Sequence, residues 1–230
     1  MPSHPFEHDL QRLGREYSSL LQEHGDVPAA VRWRDRSTQE RRLCVLAEVG
    51  DLRTAKVLDF GCGTGHLLDI LRTRLGFCGE YVGYDLSEAM IALARTKFPG
   101  VRFERRDILA DGVPEVFDYV LVSGTFNARV SDNWGLMTAL LRPLFQQTRT
   151  ALAFNLISSY VDYMNDGLWY ASPEQVLRFC KEEISPRVTL RHDYLLKDGV
   201  IPYEFTVYVY QTNVPRVKHA DLHGQREAAS

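Results

Sequence analysis

The order of apolar and polar positions divides the chain into two helical periods followed by short apolar runs that alternate with further helical ones. Phe6, Leu10, Leu13, Tyr17, Leu20 and Leu21 recur at helical spacing and predict an amphipathic helix over 6–23. His24-Gly25-Asp26-Val27-Pro28 ends it. Ser37-Thr38-Gln39-Glu40 reads as a capping box opening a second helix, with Leu43, Leu46 and Val49 facing inward. Val57-Leu58-Asp59-Phe60 is a short apolar run of the kind found in buried parallel strands. Three glycines at every second position follow, and Leu67, Leu68, Leu71 and Leu75 then return to helical spacing. Further strands are predicted over 81–85, 101–105, 116–123 and 150–155, with helices over 87–97 and 133–146 between them. Ser172-Pro173-Glu174-Gln175 opens a last helix, and strands over 188–194 and 203–210 close the pattern.

Strands alternating with helices predict an α/β architecture around a largely parallel sheet. The last two strands are joined across Asp198-Gly199 by a connection too short for a helical crossover, so they should pair antiparallel. The sheet is therefore mixed, with a hairpin at one edge. Residues 1–52 form an N-terminal helical region, 53–211 the sheet domain, and 212–230 a polar, aperiodic tail without ordered structure.

The glycine stretch Asp59-Phe60-Gly61-Cys62-Gly63-Thr64-Gly65 sits between a strand and a helix, where a ligand meets the helix N-terminus. Glycine supplies positive φ and lets a ligand approach bare backbone. No Lys-Ser or Lys-Thr follows, which argues against a phosphate-cradling P-loop. The loop holds no cation for a pyrophosphate, and Asp59 before it suits a ligand carrying an ammonium group. Asp85 ends the second strand 20 residues beyond Gly65, the offset at which a carboxylate accepts from ribose hydroxyls. Ser87 can cap the next helix in its place.

Composition narrows the function classes. The 230 residues are 45% hydrophobic and 25% charged, ordinary for a globular domain. A net charge of -3 gives no broad attraction to nucleic acid. Cys44, Cys62, Cys78 and Cys180 are scattered without metal-ligand spacing, which implies reduced thiols, a cytoplasmic location and no metal site. No apolar signal region follows the N-terminus, and no window is long enough to span a membrane. One basic stretch, 31–36, surrounds Trp33.

Residues 59–65 resemble the first motif of class I S-adenosylmethionine-dependent methyltransferases, and the chain is similar to their small stand-alone bacterial type. The resemblance implies a Rossmann-like seven-stranded mixed sheet with an antiparallel last strand, helices on both faces and an N-terminal helical lid. It implies S-adenosylmethionine as cofactor, S-adenosylhomocysteine as product, and cofactor contacts from Asp59, Gly61, Cys62, Gly63, Gly65, Asp85, Leu86, Met90, Asp107, Ile108 and Ser123. Asp107 would receive the adenine amine and Ile108 pack on the ring; a surface-turn aspartate is the alternative for the former. Arg42 either packs or meets the cofactor carboxylate.

On the acceptor side, Asn127 follows the fourth strand and is the candidate to orient an acceptor, or else satisfies its own loop. His192 is the candidate proton acceptor, or else a structural residue. Trp33, Tyr160, Tyr163, Trp169, Tyr194, Tyr203 and Glu204 are candidates for the acceptor pocket, although the aromatic loop can equally plug onto the sheet. No Asn/Asp-Pro-Pro-Tyr or Phe motif follows the fourth strand, which argues against amide or nucleobase nitrogen as acceptor. The expected activity is methyl transfer to oxygen or nitrogen of a small metabolite, such as a natural product or sugar, with no nucleic-acid or membrane partner. The alternatives are an NAD-type oxidoreductase on a similar sheet and a cofactor-binding partner protein without turnover.

Overall fold

The computed structural model describes residues 3–27 and 35–214. The first helix, α1 (Glu7–His24), ends at Gly25, whose N–H reaches back to the Leu21 carbonyl. The second, α2 (Arg36–Ala47), is capped by Asp35 rather than by the Ser37 box, because the Asp35 carboxylate accepts from the Thr38 N–H at 2.8 Å. Asp35 also draws the Ser37 hydroxyl at 2.8 Å, so Ser37 serves the cap instead of being it. Trp33 and the rest of 28–34 lie outside the described residues, as does most of the predicted tail.

The strands are β1 (Lys56–Phe60), β2 (Glu80–Asp85), β3 (Arg102–Arg105), β4 (Phe117–Val122), β5 (Thr148–Ile157), β6 (Val188–Arg191) and β7 (Glu204–Tyr210). They form one seven-stranded sheet in the order β3-β2-β1-β4-β5-β7-β6. The first five run parallel; β7 is antiparallel to both β5 and β6. The connecting helices are α3 (His66–Leu75), α4 (Glu88–Lys97), a short α5 (Ile108–Asp111), α6 (Asn133–Gln146) and α7 (Pro173–Phe179), the last continuing into a π-helical turn over Cys180–Ile184.

Strand alternation divides the core in two. Leu58, Phe60, Val82, Tyr84, Val120 and Phe154 face α1, α6 and α7. Val57, Tyr81, Leu121, Ala151 and Ala153 face α2, α3 and α4. Because both faces are covered, the strands read as nearly continuous apolar runs. The seven-stranded mixed sheet, the antiparallel β7 and the N-terminal helix agree with the sequence reading. β6 ends at Arg191, so His192 and Tyr194 lie in the connection after it rather than in the strand.

Two N-terminal contacts set the geometry of the site. Helix α1 crosses the β2–α4 loop so closely that a Cβ on Gly14 would sit 3.2 Å from the Leu86 carbonyl oxygen, and Ser18 meets the Ser87 hydroxyl at 2.8 Å. Helix α2 is fastened to β7 by an ion pair between Arg42 and Glu204, each 1% exposed.

Candidate functional site

The carboxyl ends of β1, β2 and β4 meet at the glycine bend. Its backbone is held from β2: the Gly61 and Cys62 N–H groups both donate to the Tyr84 carbonyl, at 2.8 and 3.0 Å. Gly61 has φ +81°, and a Cβ there would lie 2.2 Å from the Thr125 hydroxyl, so another residue would strain the backbone and displace the Thr125 side chain. Gly65, at φ +82°, ends the bend and starts α3.

Asp85 is clamped in place. Its two carboxylate oxygens accept from the Gly63 and Ser87 N–H groups at 2.8 and 2.9 Å. Ser87 caps α4 by accepting from the Met90 N–H, as the sequence indicated. Burial pushes the Asp85 carboxyl above its ordinary range, opposed by those backbone bonds. Beside it opens a cleft that continues into solvent. Leu86, Met90, Asp107 and Ile108 line it. Leu10, Leu13 and Tyr17 of α1 roof it. Burial and the nearby Asp85 push the Tyr17 hydroxyl up to about 12, so it enters the cleft as a neutral donor.

A second cavity lies on the other side of the bend and shares Gly61, Gly63, Met90 and Ser123 with the first. It is polar, with Asp59, Cys62, Thr64 and His66 on one wall and Arg36 and Gln39 of α2 on the other. Asp59 is 3% exposed and accepts from the Tyr81 hydroxyl at 2.5 Å. Burial pushes its carboxyl up to about 7, against the lowering effect of Tyr81. Burial and then Arg36 lower the His66 imidazole, which is therefore neutral near pH 7; its Nε2 is buried without a hydrogen-bond partner. Burial raises the Cys62 thiol well above its ordinary value and makes it a wall rather than a nucleophile.

Ten of the eleven predicted cofactor-side residues line one or both cavities; Gly65 instead packs against Phe98 and Phe103. The acceptor-side residues are placed differently. Asn127 is 7% exposed and lines neither cavity; its backbone carbonyl accepts from the Trp169 N–H, and its Oδ1 is buried without a partner. His192 bonds the Pro202 carbonyl at 3.0 Å between the rings of Tyr160 and Phe205. Tyr163 is 79% exposed, and Tyr160 gives its hydroxyl to Glu174. Trp169 packs against the core. The Tyr194 hydroxyl meets Thr206 at 2.8 Å, and Tyr203 packs beside Tyr194. Glu204 and Arg42 form a buried ion pair with each other and line neither cavity.

Two contributors have no local signal in the sequence. Asn155, deep in β5 and 1% exposed, accepts from the Gly124 N–H at 2.9 Å and donates to the Ser123 hydroxyl at 3.0 Å, which sets the turn after β4. His4 bonds Asp107 across 103 residues. Among the described residues no group of three or more His, Cys, Asp or Glu side chains is arranged to hold a metal ion, and no helix is long and apolar enough to cross a membrane.

The apolar cleft thus carries two carboxylates in its lining, Asp85 and Asp107, and the polar cavity that shares the glycine bend carries a third, Asp59. Comparison with known proteins carries this further. The family model described as "Methyltransferase domain" matches residues 52–164. Rv1506c of Mycobacterium tuberculosis, named as a methyltransferase, is 38% identical over 157 residues, 66% of this chain and 90% of that protein. Trans-aconitate 2-methyltransferase of Acidovorax sp. is 35% identical over 100 residues, and the match spans 44% of this chain but only 38% of that enzyme. Among solved structures, magnesium protoporphyrin IX methyltransferase of Synechocystis PCC 6803 with bound S-adenosylhomocysteine superposes with a TM-score of 0.64 at 12% identity, covering 89% of this chain and all of that one. The chain belongs to the class I S-adenosylmethionine-dependent methyltransferases.

Proposed function

We propose that this chain moves the methyl group of S-adenosylmethionine to an oxygen or nitrogen of a small metabolite. The observation that carries the reading is the clamped Asp85 carboxylate in the lining of the apolar cleft. In this reading Asp85 accepts from both ribose hydroxyls, Leu86 and Ile108 sandwich the adenine, and Asp107 accepts from its amine. The amino-acid end crosses the glycine bend into the polar cavity, where Asp59 meets the ammonium and Arg36 the carboxylate. The cofactor supplies an already activated methyl group. The protein's part is therefore to align the acceptor, exclude water and accept one proton.

The junction of the two cavities, between Ser123 and Met90, is where the acceptor must arrive. His66, whose imidazole burial lowers, lines the polar cavity beside that junction, whereas His192 lines neither cavity, so His66 is the better placed proton acceptor. A small acceptor is supported by the net charge of -3, which offers nothing to a polyanion. The test is release of S-adenosylhomocysteine against a panel of carboxylic acids, phenols, amines and sugars, beside calorimetric titration with S-adenosylmethionine and NAD. Turnover with one class of acceptor and binding of the sulfonium compound alone are expected. Binding without turnover across the panel would favour a non-catalytic partner role.

The Asp59 carboxyl makes cofactor binding depend on pH. Unfolded, it titrates near 3.8; folded, near 7, so between those values the folded chain holds the extra proton. The stability this group contributes is present at low pH and is lost as pH rises toward 7. A bound ammonium favours the ionised form, so binding below pH 7 releases a proton. Affinity for S-adenosylhomocysteine should rise from pH 5.5 to 7.5 and then level off, and Asp59→Asn should flatten the profile. Calorimetry in two buffers of different ionisation enthalpy counts the proton directly.

A further inference from the structure

His4 and Asp107 form a contact that lies outside the matched family segment at one end and inside the cofactor cleft at the other. The imidazole Nε2 is 2.9 Å from Asp107 Oδ2, and the side chain is 8% exposed. Its other nitrogen, Nδ1, accepts from the Phe6 N–H at 3.2 Å. A ring nitrogen that accepts carries no proton, so the single proton of the neutral ring is on Nε2 and points at Asp107. The opposite carboxylate oxygen, Oδ1, accepts from the Leu109 N–H at 3.0 Å and so caps α5. Asp107 is thus gripped at both oxygens, one by the chain that follows it and one by the N-terminus. The remaining lone pairs are available to the cleft it lines.

We infer that His4 is a positioning residue: it fixes the rotamer of Asp107 so that the carboxylate meets the exocyclic amine of the cofactor's adenine, and thereby contributes to recognition of that base. The inference rests on the proposed placement of adenine between Leu86 and Ile108. A carboxylate held by one bond can rotate about its terminal torsion, which is broad and nearly twofold. One held at both oxygens presents a fixed acceptor direction. Release from His4 should therefore weaken selectivity for a base that donates at position 6, more than it weakens stacking or ribose contacts. Because α1 begins three residues later and roofs the same cleft, the N-terminal segment would then take part in base recognition as well as in covering the site.

The test compares two ligands by calorimetry: S-adenosylhomocysteine, whose base donates from its amine, and S-inosylhomocysteine, which presents a carbonyl oxygen there. The parent chain should prefer the amino form. His4→Ala should reduce that preference roughly three- to tenfold, the size of one hydrogen bond's contribution, while His4→Gln, which can still donate, restores part of it. Asp107→Asn should nearly abolish the preference. Equal weakening of both ligands in His4→Ala, or no change in either, would overturn the positioning role and leave His4 as packing. A parent chain that binds both ligands alike removes the role of Asp107 and that of His4 with it. A parent chain that binds neither removes the cofactor placement itself, which separates the two failures. Thermal melting of each variant confirms that the comparison is between folded proteins.

Discussion

Asp85→Asn should bind S-adenosylhomocysteine more weakly than the parent chain by roughly a hundredfold or more, while melting close to it. An asparagine can still accept from the Gly63 or Ser87 N–H that now holds the carboxylate at 2.8 and 2.9 Å, so the loop keeps most of its shape. It cannot accept from two ribose hydroxyls with charge behind the bond. Each such charge-assisted bond is worth about 1.5–3 kcal/mol, and two of them correspond to about two to four decades of affinity. Asp85→Ala should lose as much binding and, in addition, orphan two loop donors, so its melting point should fall as well. Unchanged affinity in Asp85→Asn would mean that the nucleoside does not lie against β2, and the proposed site would have to move.

Glu204→Ala should cost the fold about 3–5 kcal/mol, because it strands the Arg42 guanidinium, 1% exposed, without its carboxylate. For a chain of this size that corresponds to a melting point lower by roughly 6–20 °C. Arg42 Nε donates to Glu204 Oε2 at 2.6 Å, and a second nitrogen reaches the other oxygen, so the pair is bidentate and dry. Replacing both partners together, Arg42→Met with Glu204→Leu, should return most of the loss, since apolar residues of similar volume relieve two buried charges at once. The single variant should also weaken cofactor binding, because α2 carries Arg36 and Gln39 to the polar cavity. A single variant within about 1 kcal/mol of the parent would place the pair in the class of exposed ion pairs instead.

What could be read in the chain beforehand was what neighbouring residues dictate. The apolar run before Gly61, the helical spacing after Gly65 and the acid at the end of β2 are local patterns, and each predicted its element and its place at the cleft. The short link between β6 and β7 gave their antiparallel pairing in the same way. The Asp35 cap was displaced by two residues because Asp and Ser both favour that position, and only the folded turn chooses between them. The pairing of Arg42 with Glu204 joins residues 162 apart, and nothing near either one announces it. Four aromatics in the loop after β5 suggested a pocket by composition alone. Their destinations were decided by neighbours elsewhere: Glu174 for Tyr160, the core for Trp169, and solvent for Tyr163. Asn155 was hidden in the other direction, as an apparently ordinary strand position whose amide braces the next loop.

The place of β7 bears on how the chain is made. Among the described strands it is the last in chain order, yet it is inserted between β5 and β6 and buried along nearly its whole length. Until Glu204–Tyr210 has been synthesised, β5 presents an open apolar edge, and such edges recruit strands from other molecules. A nascent or prematurely terminated chain ending before residue 204 would therefore be a candidate for aggregation or chaperone capture, even with the whole glycine bend and both carboxylates of the cleft already in place.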